Sequence, residues 1–164
     1  PTGRISRMLL GNTSADIIRL ADTPTFVDKS IPSSPINSIL YATDFRSGAY
    51  KALRYVKDWA SANRVLFIQF VGTRAVDPLS EKRRMEKVEG DFRLLAEKLR
   101  GYSQVTTIHS LGRATAEIKK TIKQNRPDLL ILGKGNPKGL GKTVLGSIAE
   151  KLVSSVDCLV LVIP

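Results

Sequence analysis

The sequence predicts an α/β fold: an open, doubly wound sheet of five parallel strands, preceded by an extra N-terminal helix and edge strand. Short aliphatic runs alternate with longer amphipathic segments from residue 39 onward, in the order β-α-β-α-β-α-β-α-β. The runs around Val65-Leu66-Phe67-Ile68 and Leu129-Leu130-Ile131-Leu132 are almost unbroken, as in strands covered on both faces. After Leu132 comes a glycine-rich stretch, Gly133-Lys134-Gly135-Asn136-Pro137-Lys138-Gly139-Leu140-Gly141-Lys142, that ends at Gly146-Ser147. It is about twice as long as an ordinary strand-to-helix connection, which points to a ligand loop rather than a plain link.

A chain of 164 residues holds one domain and a small appendage, and buries roughly 70% of its unfolded surface. A hydrophobic fraction of 42% and a charged fraction of 25% place it among globular rather than disordered proteins. No apolar run approaches the roughly 20 residues that span a bilayer, and Pro1-Thr2-Gly3-Arg4 carries no signal-peptide core. The expectation is a cytoplasmic protein cut from a longer chain. Cys158 is alone and makes no internal disulfide. The net charge of +11 favours polyanions, but the lysines and arginines are dispersed and the ten aromatics (one Trp, four Tyr, five Phe) form no stacking platform. A solvated basic surface is therefore expected, and a nucleic-acid face is not.

In chain order, Gly11 is followed by Asn12, Thr13 and Ser14, any of which can cap a helix with Ile17, Ile18 and Ala21 inward. Pro24 makes Thr23-Pro24-Thr25-Phe26-Val27 an edge strand, and residues 29–36 form a linker rich in serine and proline. Ile39-Leu40-Tyr41-Ala42-Thr43-Asp44 is a strand ending in an acid, and the next helix buries Ala49, Leu53, Val56 and Ala60. Pro78 opens a long helix with Met85, Val88, Phe92, Leu95 and Leu99 inward. A weaker strand over 104–110 leads to a helix burying Ile118 and Ile122, stopped by Pro127. The glycine loop returns into a helix over 147–155 and a last strand that begins at Cys158 and ends at Ile163. Asp44 and Gly133 then both lie beyond the carboxyl ends of strands at the point where strand order reverses, where such sheets bind ligands.

The beginning of the chain repeats its end. Leu10-Gly11-Asn12 matches Leu145-Gly146-Ser147, and at the same offset Ile17-Ile18 matches Leu152-Val153, Asp22 matches Asp157 and Phe26-Val27 matches Leu161-Val162. A repeat across helix, turn and strand implies three parts: residues 1–28, the helix and strand that end a preceding copy; 29–36, a linker; and 37–164, a whole domain.

With ILYATDF at the first strand, and with Gly133, two residues, Asn136, nine residues, then Gly146-Ser147 in the loop, the second domain resembles the universal stress protein family over nearly its whole length. The family's pattern has a second glycine where Asn136 stands; asparagine tolerates a left-handed backbone better than most residues. The resemblance implies a Rossmann-like fold akin to the adenine nucleotide alpha hydrolases and ATP as ligand, with or without Mg2+. By that resemblance Ala42, Thr43, Asp44 and Phe70 lie against adenine. Leu132, Gly133, Asn136, Lys142, Gly146, Ser147 and Ile148 hold ribose and phosphates, with glycine clearance and helix-start amides as the physical means. Lys134, Lys138 and Lys142 are either counter-charges to phosphate or solvated lysines. The resemblance also implies that the module is regulatory rather than enzymatic, with at most slow ATP hydrolysis. It implies a partner joined through the last strand, either a preceding universal stress domain or a second copy, and in a longer chain a membrane transporter. Residues 25–28 are then expected to pair antiparallel with the strand from Cys158 to Ile163.

Gly141-Lys142-Thr143 suggests a P-loop, but the glycine required five residues earlier is Asn136 and Gly146 interrupts the helix. His109 has no cysteine or acid at metal-ligand spacing and reads as structural or exposed. Cys158 and Trp59 read as packing residues. No nucleophile, base and orienting group occur together. Three classes of function remain: a nucleotide-binding regulatory module, a ligand-free dimerisation scaffold, and a basic protein that associates with nucleic acid.

Overall fold

The computed structural model describes residues 12–28, 35–45, 47–135 and 145–164, and the side chains of those except residues 12–15 and 47–49. In chain order the elements are α1 (Asn12–Leu20), β1 (Thr25–Val27), β2 (Ser38–Thr43), α2 (Ser47–Asp58), β3 (Val65–Gly72), α3 (Pro78–Lys98), β4 (Gln104–Leu111), α4 (Ala114–Asn125), β5 (Leu129–Gly133), α5 (Ser147–Ser155) and β6 (Leu159–Ile163). The strands form one sheet in the order β1-β6-β5-β2-β3-β4. Five of them are parallel, and β1 runs antiparallel along β6, with Thr25 opposite Val162 and Val27 opposite Val160. This is the predicted sheet, including its antiparallel edge. The strand expected to be weak, β4, pairs with β3 over its whole length.

Side-chain alternation divides the core into two layers. Ile39, Tyr41, Leu66, Ile68, Leu129, Ile131, Leu161 and Ile163 pack with Ala52, Leu53 and Val56 of α2 and Val88, Phe92 and Leu95 of α3. On the other face Leu40, Leu130, Leu132, Val160 and Val162 pack with Ile18 of α1, Ile118 of α4 and Ala149, Leu152 and Val153 of α5. Helices on both faces explain why the central strands are apolar without interruption.

Local chemistry sets the boundaries. Asp77 caps α3, its carboxylate accepting from the Ser80 amide at 2.9 Å, with Pro78 at the first helical position. The α4 helix ends at Arg126 in a left-handed conformation (φ 46°), and Pro127 prevents its continuation. Asp128 then fastens the start of β5 to that of β2: its Oδ2 accepts from the amides of Asn37 (2.9 Å) and Ser38 (2.8 Å) and from Ser38 Oγ (3.0 Å).

Three inward assignments need correction. Ile17 is 57% exposed while Ile18 is 3% exposed, because adjacent residues on a helix point about 100° apart and α1 presents only a narrow face to the core. Ala21 and Met85 are half-buried and belong to neither core layer. The Ala49 side chain and the capping side chains of residues 12–14 lie outside the described residues. Among the described residues, no helix is long and apolar enough to cross a membrane.

Candidate functional site

The switch point lies between β2 and β5, because the chain leaves β2 toward β3 on one side and returns to its other side as β5. Ala42 is in register with Leu132, so Thr43 and Asp44 on one strand and Gly133 on the other emerge together at the carboxyl edge. Ala42 is half-buried and Thr43 buried, its Oγ1 accepting from the Phe45 amide at 3.1 Å. Asp44 is exposed just beyond. Phe45 has φ 56°, a left-handed conformation uncommon for a bulky residue.

That backbone turn sends the Phe45 ring inward. It stacks on Phe70 at 5.1 Å between centroids and meets Phe92 edge-on at 5.2 Å. Phe70, opposite Thr43 in the β2–β3 register, also touches the His109 ring at 5.6 Å. The predicted adenine-side residue Phe70 is thus brought beside Thr43, but its ring lies in an aromatic row. His109 is a packing residue as expected, although its Nε2 is buried and has no hydrogen-bond partner among the described residues. Beneath the acid, Tyr41 is buried, and burial pushes its hydroxyl up to about 12, opposed by a hydrogen bond with Thr43 and reinforced by the Asp44 charge.

On the loop side the backbone forms a tight neck. Leu132 is buried and Gly133, half-buried, is the last residue of β5, opposite Ile163. The Lys134 amide donates to the Ile163 carbonyl at 2.6 Å, and the Lys134 carbonyl accepts from the Gly146 amide at 2.8 Å. Gly135 is left-handed, φ 76°. A Cβ at Gly146 would stand 3.1 Å from the Lys134 oxygen and 3.6 Å from the Gly135 Cα. Gly146 is therefore required by the approach of the two chain segments, a reason additional to clearance for a ligand.

Gly146 is also the residue before α5, and among the described residues no side chain caps that helix. The amides of its first turn, including those of Ser147 and Ile148, lack intrahelical acceptors and point out of the helix start. Both residues are exposed. These amides carry the partial positive charge that attracts anions.

Of the loop lysines, Lys134 does neither of the things expected of it. It is 6% exposed, and its ammonium donates to the carbonyls of Arg19 and, at 3.2 Å, Ala21. The carbonyl end of α1 takes the charge because its last carbonyls are otherwise unpaired and carry the negative end of the helix dipole. Lys138, Lys142 and Asn136 lie outside the described residues. Sequence reasoning missed Gly135, Phe45, Tyr41 and the true role of Lys134. Gly135 was visible as a glycine directly after the strand; nothing in the sequence aims Lys134 at α1. Among the described residues no three His, Cys, Asp or Glu gather as a metal site.

A model of the universal stress protein family matches residues 35–164. The chain belongs to the universal stress protein family. Among solved structures this universal stress protein is similar to UspA from Lactobacillus plantarum, with 20% identity and a TM-score of 0.63 over 80% of this chain and 100% of that one. It is also similar to a universal stress protein in complex with cAMP, with 15% identity and a TM-score of 0.63 over 79% and 98%. A third likeness is to a universal stress protein from Archaeoglobus fulgidus DSM 4304, with 23% identity and a TM-score of 0.64 over 97% of this chain but 56% of that chain. At these identities the likeness is one of fold. No curated protein matches the sequence.

Proposed function

We propose that this universal stress protein is an ATP-binding regulatory module that acts through assembly with a neighbouring domain rather than by catalysis. The observation that carries the reading is the neck, where Gly146 lies against Lys134 and Gly135 and joins the start of α5, which no described side chain caps, to the carboxyl edge where Asp44 and Gly133 emerge. An anion at that helix start and an adenine near Asp44 fit the two halves. In this reading Ala42, Thr43, Asp44 and Phe70 flank the base, Leu132 and Gly133 the ribose, and Gly146, Ser147 and Ile148 the phosphates. Asn136 and Lys142 contribute from the loop, with or without Mg2+. That a relative was solved with cAMP supports an adenine nucleotide as the class of ligand.

For assembly, the reading takes residues 1–28 as the end of a preceding domain, 29–36 as a linker and 37–164 as the domain proper. The relative that this chain covers over only 56% of its length supports a longer parent chain of that kind, and a cytoplasmic module attached to a membrane transporter is one form of it. The β1–β6 pairing is then the joint between domains. A homodimer through the strand from Cys158 to Ile163 requires β1 to leave.

The aromatic row favours a second reading. The Phe45 and Phe70 rings stack on each other beside the place assigned to the base, as in a scaffold module without nucleotide. Calorimetric titration with ATP separates the two. The first reading expects saturable binding, weakened at least about tenfold by Gly146→Val, which cannot form the neck without displacing backbone, and less by Asp44→Ala. Absence of saturable binding at millimolar ATP, or binding indifferent to both substitutions, removes the first reading, and the former outcome is the one the scaffold reading expects.

A further inference from the structure

Lys134 is the one buried cation among the described residues, and a buried ammonium must be paired. Its side chain and its backbone serve different elements. The side chain ends on the carbonyls of Arg19 and Ala21, at the point where the Ala21 amide closes the last helical bond of α1 on Ile17. The backbone N–H is bonded to the end of β6 and the backbone C=O to Gly146, the residue that starts α5. One residue therefore joins the N-terminal helix to the neck of the candidate site.

We propose that Lys134 is a positioning residue that couples the seating of the α1–β1 unit to the shape of the neck between β5 and α5. With α1 seated, the ammonium has its acceptors and the backbone of Lys134 is held in register with Ile163 and Gly146. With α1 unseated, the ammonium loses both carbonyls in a buried position and has to turn toward water, drawing its own backbone out of those two bonds. Besides the packing of Ile18 in the core, the ion pair of Arg19 with Glu150 at 2.9 Å also holds α1, but it joins side chains that are 37% and 46% exposed, so it is screened and weakly constraining. Coupling of this kind is reciprocal: a ligand that tightens the neck also tightens α1. The ligand half rests on the nucleotide reading above; the link between α1 and the neck stands without a ligand.

Two amides report directly on the neck, those of Lys134 and Gly146. Their hydrogen exchange is to be measured in the whole chain, without ligand, for the parent, Ile18→Ala, Lys134→Met and the double variant. Ile18→Ala loosens α1 from the core, and Lys134→Met keeps the stem and removes the charge. Ile18→Ala is expected to speed exchange at both amides about tenfold in the parent background, the scale of one hydrogen bond to a charged group. It is expected to add nothing in the Lys134→Met background, where no buried charge is left to draw the backbone out of the neck. Unchanged neck amides in Ile18→Ala, or equal acceleration in both backgrounds, overturn the proposal. If Lys134→Met does not fold, Lys134→Gln, which still donates to a carbonyl but carries no charge, takes its place: Ile18→Ala is expected to accelerate the neck amides less in that background than in the parent, and equal acceleration would equally overturn the proposal. Added ATP should slow exchange at Ala21 in the parent only. ATP that binds without slowing Ala21 removes the ligand half, whereas failure of ATP to bind at all refutes the nucleotide reading and leaves the ligand-free comparison to decide the coupling.

Discussion

Tyr41 shows how a single buried group ties the candidate site to stability. Its hydroxyl is raised from an ordinary 10.0 to about 12, chiefly by burial. The unfolded chain therefore gives up this proton first as pH rises. The stabilising contribution is whole below about pH 10 and is lost toward pH 12. Tyr102, whose hydroxyl donates to the Val56 carbonyl and is likewise raised to about 12 by burial, titrates in the same window. Urea unfolding of the parent should weaken steeply across that interval. In Tyr41→Phe the loss should be smaller by on the order of 2 kcal/mol, the worth of such a shift. An identical decline in both proteins would disprove the assignment. Tyr41 also marks a limit of sequence reading. It was seen as one residue in an apolar strand; that its hydroxyl lies under Asp44, bonded to Thr43, depends on side-chain directions that periodicity does not carry.

At the scale of elements, the parallel strands and their helices were legible because each carries its own period: unbroken aliphatics for strands covered twice, and spacings of three and four for helices. The antiparallel edge was legible from the internal repeat and the family it pointed to. The contacts β1 makes were not. Phe26, though half exposed, lies 6.0 Å from the ring of Trp59 at the end of α2, while Val27 packs against the opposite core layer. Trp59 also carries the Arg64 guanidinium 5.3 Å above its ring. Since the chain has one tryptophan, its fluorescence reports the seating of β1. Phe26→Ala removes an aromatic pair worth about 0.5–1.5 kcal/mol, and should shift Trp59 emission to longer wavelength and increase its quenching by iodide. Emission unchanged from the parent would mean that Trp59 does not sense β1.

For the molecule as a whole, charge and topology act separately. The net charge of +11 raises the local concentration of any polyanion without selecting one. Weak DNA association that disappears between roughly 50 and 200 mM salt, as counterion release dictates, is the expected outcome in a filter-binding or anisotropy titration. Tight, sequence-dependent binding at the higher salt would restore a nucleic-acid function. The candidate site, by contrast, was half legible: glycine spacing singled out Gly133 and Gly146, but the neck in which Gly146 lies against Lys134 and Gly135 arises from backbone approach in three dimensions. The aromatic row of Phe45, Phe70 and His109 joins residues from three strand ends that no linear pattern links.

The pairing of β1 along β6 also bears on the company the molecule can keep. Each backbone group on an edge strand can be engaged only once, and the outer side of β6 is engaged by residues of the same polypeptide. Any other protein carrying a matching terminal strand must compete with a neighbour joined to the domain through residues 28–37, and tethering over such a length corresponds to an effective concentration in roughly the millimolar range. The arrangement thus sets β1 against any exchanging subunit, and among the described residues no strand pairs with the outer side of β1.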